Sequence, residues 1–263
     1  MDSPFKQLEN ILNNKTSGSS DIMIKLNKLL RNNYKNDKFV SSAVSEINKK
    51  LLHFSAIREY ISMVSKLTGS NKKKEFLLFL NNIEEKLHNQ NSILYYKAIP
   101  YIKDINNILT ISNSGTLLRL FENWRKDNNK LKITVCESRP KLEGRIFAKT
   151  LLKKKIKTEL ITDFMAGSYV PLVDAVITGA DSVLLNGNIV NKTGSKTLAL
   201  LCRHYKKPFY VITLKNKFTT LKTFNPPKEN PDEIWNIKNG NLRIQNIYFE
   251  IVERDLITAV ISD

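Results

Sequence analysis

From about residue 105 onward, short runs rich in Ile, Val and Thr alternate with stretches of helical periodicity. The strand-like runs are NILTI, KITVCE, TELIT, DAVIT, PFYVIT and LITAVIS, and the helical stretches between them include GTLLRLFENWRK, EGRIFAKTLLKK and TGSKTLALLCRHYKK. Strands that alternate with helices of this length predict a mostly parallel sheet with right-handed crossovers. The pattern indicates an α/β fold with a Rossmann-like carboxyl-terminal part.

The first hundred residues instead carry apolar residues at three- and four-residue steps, which predicts helices. The segment from Ser41 to Gly69 reads as one long periodic stripe with a Ser-Ser start and a closing glycine. Before it, Ser19, Ser20 or Asp21 could cap a helix, and such a start also offers free N–H groups to an anion. We therefore expect a helical N-terminal domain over residues 1–104 and a Rossmann-like domain over residues 105–263.

Composition narrows the class of protein further. A chain of 263 residues with 41% hydrophobic content can bury a sizeable core, and no run of eighteen apolar residues or signal-like start is present. The two cysteines, Cys136 and Cys202, have no paired spacing, so we expect neither a disulfide framework nor a structural metal, and no cofactor. These features predict a soluble cytoplasmic protein that does not enter a membrane.

The formal charge of +17 would attract polyanions of any kind, including RNA. Lys and Asn are abundant along the whole chain, however, which fits a composition bias spread over solvated faces. The three histidines, His53, His88 and His204, fall in helical patterns without a nearby ligand partner, so we expect structural or surface roles for them.

Ligands of doubly wound sheets bind beyond the carboxyl ends of the strands, and polar residues occupy several of these positions here. A Ser-Asn-Ser-Gly turn joins NILTI directly to a helix start, a position suited to phosphate. Arginine side chains after KITVCE would suit bidentate phosphate binding. The candidate ligand-binding residues are Ser112, Asn113, Ser114, Gly115, Arg139, Asn191 and Lys192, with Asp181 at the same rim.

Each candidate also has a structural interpretation. Asp181 could cap a turn, Arg139 could be a solvated surface charge, and the turn at Ser112 contains little glycine for a phosphate loop. Their convergence on one sheet edge carries more weight than any of them singly.

Three segments closely resemble the carboxyl-terminal domain of the translation initiation factor 2B alpha, beta and delta subunits. They are TVCESRPKLEGRIFAKTL, DAVITGADSVLLNGNIVNKTGSKTLALLCRHYKKPFYVIT and IYFEIVERDLITAVISD. The same family includes isomerases acting on methylthioribose-1-phosphate and ribose-1,5-bisphosphate. The resemblance is strong over residues 105–215 and implies a phosphosugar or nucleotide cleft between a helical domain and a Rossmann-like domain.

The resemblance also implies roles for individual residues. Asp181 matches the catalytic aspartate of the isomerases, Asn191 and Lys192 match a pair that grips substrate, and Arg139 matches the arginine of their ETRP or ESRP stretch. Ser112 stands where the isomerases carry a cysteine. A thiol of pKa about 8.5 exchanges a proton near neutrality and a hydroxyl without an adjacent base does not, so isomerase chemistry of that type should be crippled.

Two functional hypotheses follow from the resemblance. The first is an initiation factor 2B-like protein that binds a sugar phosphate or nucleotide in the interdomain cleft and acts in translation initiation. Its partners would be initiation factor 2 or homologous subunits, with a homodimer in the family mode that the short carboxyl terminus would weaken. The alternative is a sugar-phosphate isomerase of the ribose-1,5-bisphosphate type that uses Asp181. A protein that chiefly binds RNA is a third hypothesis.

Overall fold

The computed structural model describes residues 2–68, 72–237 and 240–263. In this part of the chain the amino-terminal region is helical. Its helices are α1 (Pro4–Leu12), α2 (Ser19–Asn32), α3 (Asp37–Lys50), α4 (Ser55–Leu67) and α5 (Lys73–Ile102). None of the described helices is both long enough and apolar enough to span a membrane.

The stripe predicted to run continuously from residue 41 is two helices, so that expectation was wrong. Helix α3 begins earlier, where the Asn36 side chain accepts a hydrogen bond from the Phe39 N–H at 3.0 Å. The chain then turns at residues 51–54 before α4 begins. This turn folds α4 back against α3, so that Ile47 and Ile57 can both be fully buried in the same core. The expected closing residue, Gly69, lies outside the described residues.

The carboxyl-terminal part contains the expected parallel sheet. Its strands are β1 (Asn107–Ile111), β2 (Lys132–Cys136), β3 (Lys157–Ile161), β4 (Ala175–Thr178), β7 (Phe209–Thr213) and β9 (Ala259–Ser262). They lie in the order β3-β2-β1-β4-β7-β9, and every pairing in the described sheet is parallel. The predicted fold class, a helical region followed by a mostly parallel sheet with helices, is confirmed.

A second, antiparallel sheet lies beside the first. It has the order β5-β6-β8 and consists of β5 (Ser182–Val183), β6 (Ile189–Lys192) and β8 (Phe249–Val252). The strand β8 comes from the IYFEIVE stretch, which the periodicity analysis had not assigned as a strand. Its neighbour β6 carries Asn191 and Lys192, so these two residues end a strand rather than lie in a loop before a helix.

Helices cover both faces of the parallel sheet. They are α6 (Gly115–Asp127), α7 (Glu143–Lys153), α8 (Ala166–Tyr169) and α9 (Ser195–His204). Because side chains alternate along a strand, Ile108 joins the core cluster that contains α6 and α7, and Leu109 joins the one that contains α9. The amino-terminal helices belong to the same cluster as Ile108. The helical region therefore packs on one face of the sheet and covers its rim.

Gly144 lies where α7 approaches the sheet closely. A Cβ atom added to Gly144 would lie 1.9 Å from the Cys136 carbonyl oxygen, so neighbouring backbone would have to move. We predict that Gly144→Ala lowers the free energy of unfolding by about 2–3 kcal/mol in urea denaturation, a cost typical of overpacking.

Gly167→Ala is the matched control, because nothing lies within 4 Å of the Cβ position at Gly167, which is also helical. Its unfolding free energy should stay within about 0.5 kcal/mol of wild type. Equal effects of the two substitutions would contradict the close packing of α7 on β2.

Candidate functional site

The turn after β1 places the Ser112 side chain beside a buried carboxylate. Ser112 has a φ of 71°, a left-handed conformation that is uncommon for serine and that ends the strand abruptly. Its N–H donates to Ser138 Oγ at 2.8 Å, and its own Oγ donates to Glu143 Oε1 at 3.3 Å. Glu143 is only 4% exposed. The hydroxyl that replaces the expected thiol is therefore hydrogen-bonded to a carboxylate.

Two helix N-termini meet at this turn. A Cβ on Gly18, which precedes α2, would lie 3.1 Å from the Asn113 carbonyl oxygen, and a Cβ on Gly115 would lie 2.3 Å from Asp21 Oδ1. The Asn113 side chain also donates to the Thr16 carbonyl at 3.0 Å. A side chain at Gly18 would press on the backbone of Asn113, whereas one at Gly115 would press on the flexible side chain of Asp21. Helix α2 therefore begins at the SNSG turn, and Gly18 precedes its first residue in place of the expected serine or aspartate cap.

Two hydroxyls at this junction are buried without a partner. Ser20 in the first turn of α2 is 4% exposed, and Thr116 in the first turn of α6 is 1% exposed. No described residue forms a hydrogen bond with their side-chain oxygens, whereas the hydroxyl of Ser19, which is fully buried, faces the Asp181 carboxylate and favours its charged form. Buried polar groups without partners are costly in proteins, so these hydroxyls point to a ligand or water at this position.

Asp181 faces a second buried charge that the sequence analysis missed. Lys217, in the 3-10 turn after β7, is 4% exposed, and its Nζ donates to the Ala180 carbonyl at 2.7 Å. Burial raises the pKa of Asp181, and the positive charges of Lys217 and Lys192 oppose that rise. Burial likewise lowers the pKa of Lys217, against the charge of Asp181. The only sequence signal for this residue was the KF dipeptide after the strand.

Lys192 forms an ion pair with the buried Glu143. Its Nζ lies 3.2 Å from Glu143 Oε1, the same oxygen that accepts from Ser112. The ammonium also lies over the rings of Tyr248 and Phe249, at 5.0 and 4.7 Å from their centroids. Glu143 therefore connects Ser112 to Lys192, and it was missed because KLEGR resembled an ordinary helix start.

The start of α9 does not offer a free anion site. Gly194 N–H and Lys196 N–H both donate to Glu250 Oε1, at 2.7 and 2.8 Å. Asn191, the residue expected to bind ligand there, donates instead to Ser195 Oγ at 2.8 Å. A carboxylate of the protein thus occupies the helix start that follows Asn191 and Lys192, where an anion could otherwise bind.

Arg139 is not brought into this group. Its side chain is exposed, and its backbone N–H donates to Asp163 Oδ2 at 2.7 Å. The neighbouring cations form ion pairs with other residues. Lys141 Nζ lies 2.6 Å from Glu233 Oε1, and Arg145 Nη2 lies 2.6 Å from Glu137 Oε2. A role for Arg139 in ligand binding stays a prediction.

The remaining candidates line one small cavity between the amino-terminal helices and the sheet edge, which we call the SNSG cavity. Its volume is about 30 Å³, close to the space of one water molecule. Its lining includes Thr16, Ser17, Gly18, Ser19, Ser20, Phe54, Ser112, Asn113, Ser114, Gly115, Asp181, Asn191, Lys192 and Lys217.

Cys136 does not supply the missing thiol. It ends β2, next to β1 in the sheet, and burial raises its pKa to about 12, so the reactive thiolate is suppressed. Among the described residues, no group of three His, Cys, Asp or Glu side chains is arranged to hold a metal ion.

His53 lies near the cavity, in the turn between α3 and α4 rather than in a helix as expected. Its ring is 4.1 Å from that of Phe54 and 5.6 Å from that of Phe249, measured between centroids. Burial, with help from the charges of Lys15 and Lys192, lowers its pKa to about 4. The folded protein therefore holds this imidazole neutral.

His53 predicts a loss of stability in mild acid. The unfolded chain binds a proton at this histidine below pH 6.5 and the folded chain only below about pH 4, so the free energy of unfolding falls as the pH drops between them. In urea denaturation at pH 7 and pH 4.5, His53→Phe should lose about 2 kcal/mol less than wild type. Parallel pH profiles for the two proteins would contradict a buried neutral His53.

Comparison with known proteins adds relatives of two kinds. A Pyrococcus horikoshii protein described as translation initiation factor eIF-2B subunit 2-like is 32% identical over 192 residues, 73% of this chain and 67% of its own length. The ribose 1,5-bisphosphate isomerase of Archaeoglobus fulgidus is 28% identical over 171 residues, 62% of this chain. The methylthioribose-1-phosphate isomerase of Thermotoga petrophila is 32% identical over 182 residues, also 62% of this chain. The matches span about half of each isomerase, 54% and 53%.

Solved structures share the fold. The Pyrococcus horikoshii translation initiation factor eIF-2B superposes with a TM-score of 0.84 at 22% identity, covering 98% of this chain and 94% of that one. A subunit of the tetrameric eIF2B beta2-delta2 complex of C. thermophilum superposes with a TM-score of 0.65 at 17% identity, covering 99% and 90%. The structural neighbours thus include a subunit from an oligomer of homologous chains.

A family model, the initiation factor 2 subunit family, matches residues 15–263, almost the whole chain. The match includes both helix starts at the SNSG cavity and every strand of the two described sheets. This chain belongs to the initiation factor 2 subunit family, which includes both eIF-2B-like proteins and sugar-phosphate isomerases.

Proposed function

We propose that this chain is an initiation factor 2B-like protein that binds the phosphate of a sugar phosphate or nucleotide at the SNSG cavity and acts in translation initiation. The observation that carries the proposal is the meeting of the α2 and α6 N-termini at buried hydroxyls that have no partner. The family membership and the eIF-2B-like relative support the role in translation.

The donors suit a phosphate group. The first N–H groups of a helix have no acceptor within the helix, and the helix dipole favours negative charge there. Helices α2 and α6 bring two such ends together, since Gly18 lies against Asn113, and a phosphate at the start of α6 has to displace the Asp21 carboxylate that lies beside Gly115. The Ser20 hydroxyl adds a side-chain donor of the same kind.

The charges around the cavity are balanced by the protein's own carboxylates. Lys192 pairs with Glu143, and Lys217 faces Asp181. A phosphate that enters must compete with Glu143 for the Lys192 ammonium. This competition favours a dianionic group over a neutral sugar, because charge-assisted hydrogen bonds are the stronger ones.

Binding also requires the cavity to widen. A volume of about 30 Å³ is far below the roughly 300–1,000 Å³ of typical ligand pockets. The loop that covers the turn is held by the Asn113 side chain at the Thr16 carbonyl and by Asn14, which accepts from the N–H groups of Thr16 and Ser17. We infer that this loop moves when a sugar phosphate enters.

Removing one unpaired hydroxyl should separate ligand binding from stability. We predict that Ser20→Ala leaves the melting temperature of the free protein unchanged or higher, because a buried hydroxyl without a partner is lost. The same substitution should weaken binding of ribose 1,5-bisphosphate, ribose 5-phosphate or AMP about tenfold, since a hydrogen bond to a charged group is lost. Thermal shift titrations measure both quantities.

Thr110→Val is the matched control, because Thr110 in β1 also has a buried unpaired hydroxyl but does not line the cavity. It should keep the wild-type affinity for these ligands. If none of them shifts the melting temperature of wild type at millimolar concentration, the proposed ligand class is wrong.

A second candidate function is a sugar-phosphate isomerase that uses Asp181. The hydrogen bond from Ser112 to Glu143 favours it, because a hydroxyl beside a carboxylate has the base that the sequence analysis had not found. In this mechanism a proton moves from carbon 2 to carbon 1 of the opened aldose through an enediolate. The raised pKa of Asp181 suits a group that holds and returns this proton.

Restoring the thiol tests this second candidate. We predict that Ser112→Cys increases the conversion of ribose 1,5-bisphosphate to the ketose by about two orders of magnitude, because a thiol exchanges protons near neutral pH. Adding Asp181→Asn to that variant should abolish the gain. Product formation is followed by phosphorus NMR.

Ser114→Cys is the control for a thiol elsewhere in the same turn, since Ser114 caps α6 and lines the same cavity. It should show no increase. An inactive Ser112→Cys protein that still binds the substrate would favour the non-catalytic function over the isomerase.

We also propose that the chain assembles with homologous subunits or with a second copy of itself. The solved beta2-delta2 complex, in which homologous chains form a tetramer, supports this proposal.

A further inference from the structure

A second cavity lies among the amino-terminal helices, away from the SNSG cavity. It has a volume of about 240 Å³ and is bounded by α2, α4, α5 and the 3-10 turn after β7. We call it the α4–α5 cavity. Its apolar lining includes Met23, Tyr60, Met63, Phe79 and Ile83, and its polar lining includes Glu59, Lys86, Gln90, Lys215 and Asn216.

The size of this cavity fits one or two fused rings. An apolar protein cavity of about 150 Å³ accepts benzene, whereas drug-sized ligands occupy roughly 300–1,000 Å³. The volume of about 240 Å³ lies between these values. A larger molecule would have to displace Tyr60, which is 4% exposed and whose hydroxyl donates to Asn27 at 3.2 Å.

The walls favour a flat molecule. The rings of Tyr60 and Phe79 are stacked, with centroids 5.9 Å apart and planes inclined by 23°. Met23 and Met63 lie on the neighbouring helices α2 and α4, and flexible thioethers adapt to the edge of a ring. Such a surface offers dispersion contacts to a planar apolar group.

One polar atom in the lining lacks a partner. Asn216 Oδ1 is buried, and no hydrogen-bond donor from the described residues reaches it. An amide oxygen can accept two hydrogen bonds, so a hydrogen-bond donor at this position would be favourable. A flat ring that carries an N–H group could fill the space between the apolar side chains, and it would satisfy this oxygen once the Asn216 side chain turns toward the cavity.

We propose that the α4–α5 cavity is a second ligand site, for a small flat aromatic molecule with an N–H donor, of the size of indole or a nucleobase. The proposal does not depend on phosphate binding at the SNSG cavity. The two sites are close along the chain, because Asn216 precedes Lys217, whose ammonium lies beside Asp181. A molecule in this cavity would contact the turn that positions Lys217.

Methionine methyl groups provide a direct test. The chain contains 4 methionines, of which Met23 and Met63 line the cavity and Met165 lies at the other end of the sheet, after β3. With ¹³C-methyl methionine in the full chain, titration with indole should move the Met23 and Met63 signals to saturation at millimolar concentration. The Met165 signal should stay in place. Met23→Leu and Met63→Leu assign the signals.

The role of Asn216 is tested with 1-methylindole, which lacks the N–H donor. Wild type should bind it about fivefold more weakly than indole, the difference expected for one hydrogen bond. Asn216→Leu should bind the two molecules equally, and Asn216→Asp, which keeps an acceptor, should retain the preference. The absence of saturable shifts, equal movement of Met165, or a preference that survives Asn216→Leu would overturn the proposal.

Discussion

The close approach of two helix N-termini constrains the rest of this structure. Helix α2 from the amino-terminal region and α6 from the sheet meet where Gly18 touches Asn113 and Gly115 touches Asp21. A side chain at Gly18 would press on the Asn113 backbone, whereas the Asp21 side chain beside Gly115 could turn away. Because backbone meets backbone here, the helical region covers the carboxyl edge of the parallel sheet, where ligands of this fold bind.

The amino-terminal helices share a hydrophobic core with the sheet and exclude water from the charged side chains at its edge. Four charged side chains lie beneath these helices and are largely removed from water: Asp181, Glu143, Lys192 and Lys217. Each therefore needs a counter-charge in the free protein, and the two carboxylates and two ammonium groups provide it mutually. If a phosphate displaced one of the carboxylates, the ammonium group left behind could pair with the phosphate instead.

The Ser112 hydroxyl, which stands at the position expected for a thiol, is hydrogen-bonded rather than free. A free hydroxyl is a poor proton carrier at neutral pH, but here it is held against the carboxylate of Glu143, which also contacts Lys192. The turn geometry that brings the oxygen to Glu143 is fixed by the Ser138 side chain at the Ser112 N–H. The phosphate binding and the isomerase reaction that we propose as alternatives would therefore use the same few side chains.

The sequence by itself determined the parallel sheet and its helices, because the period of apolar residues changes from three or four to runs of Ile, Val and Thr at residue 105. It also placed Ser112 and Asp181 at one rim, since carboxyl ends of parallel strands share an edge, whereas Lys192 reaches the same cavity from the antiparallel sheet. Only the tertiary structure brought Lys217 to Asp181 and left Arg139 outside. These contacts join segments that are far apart in the chain. They depend on which charged side chains become buried next to one another, and the local sequence around each residue does not contain that information.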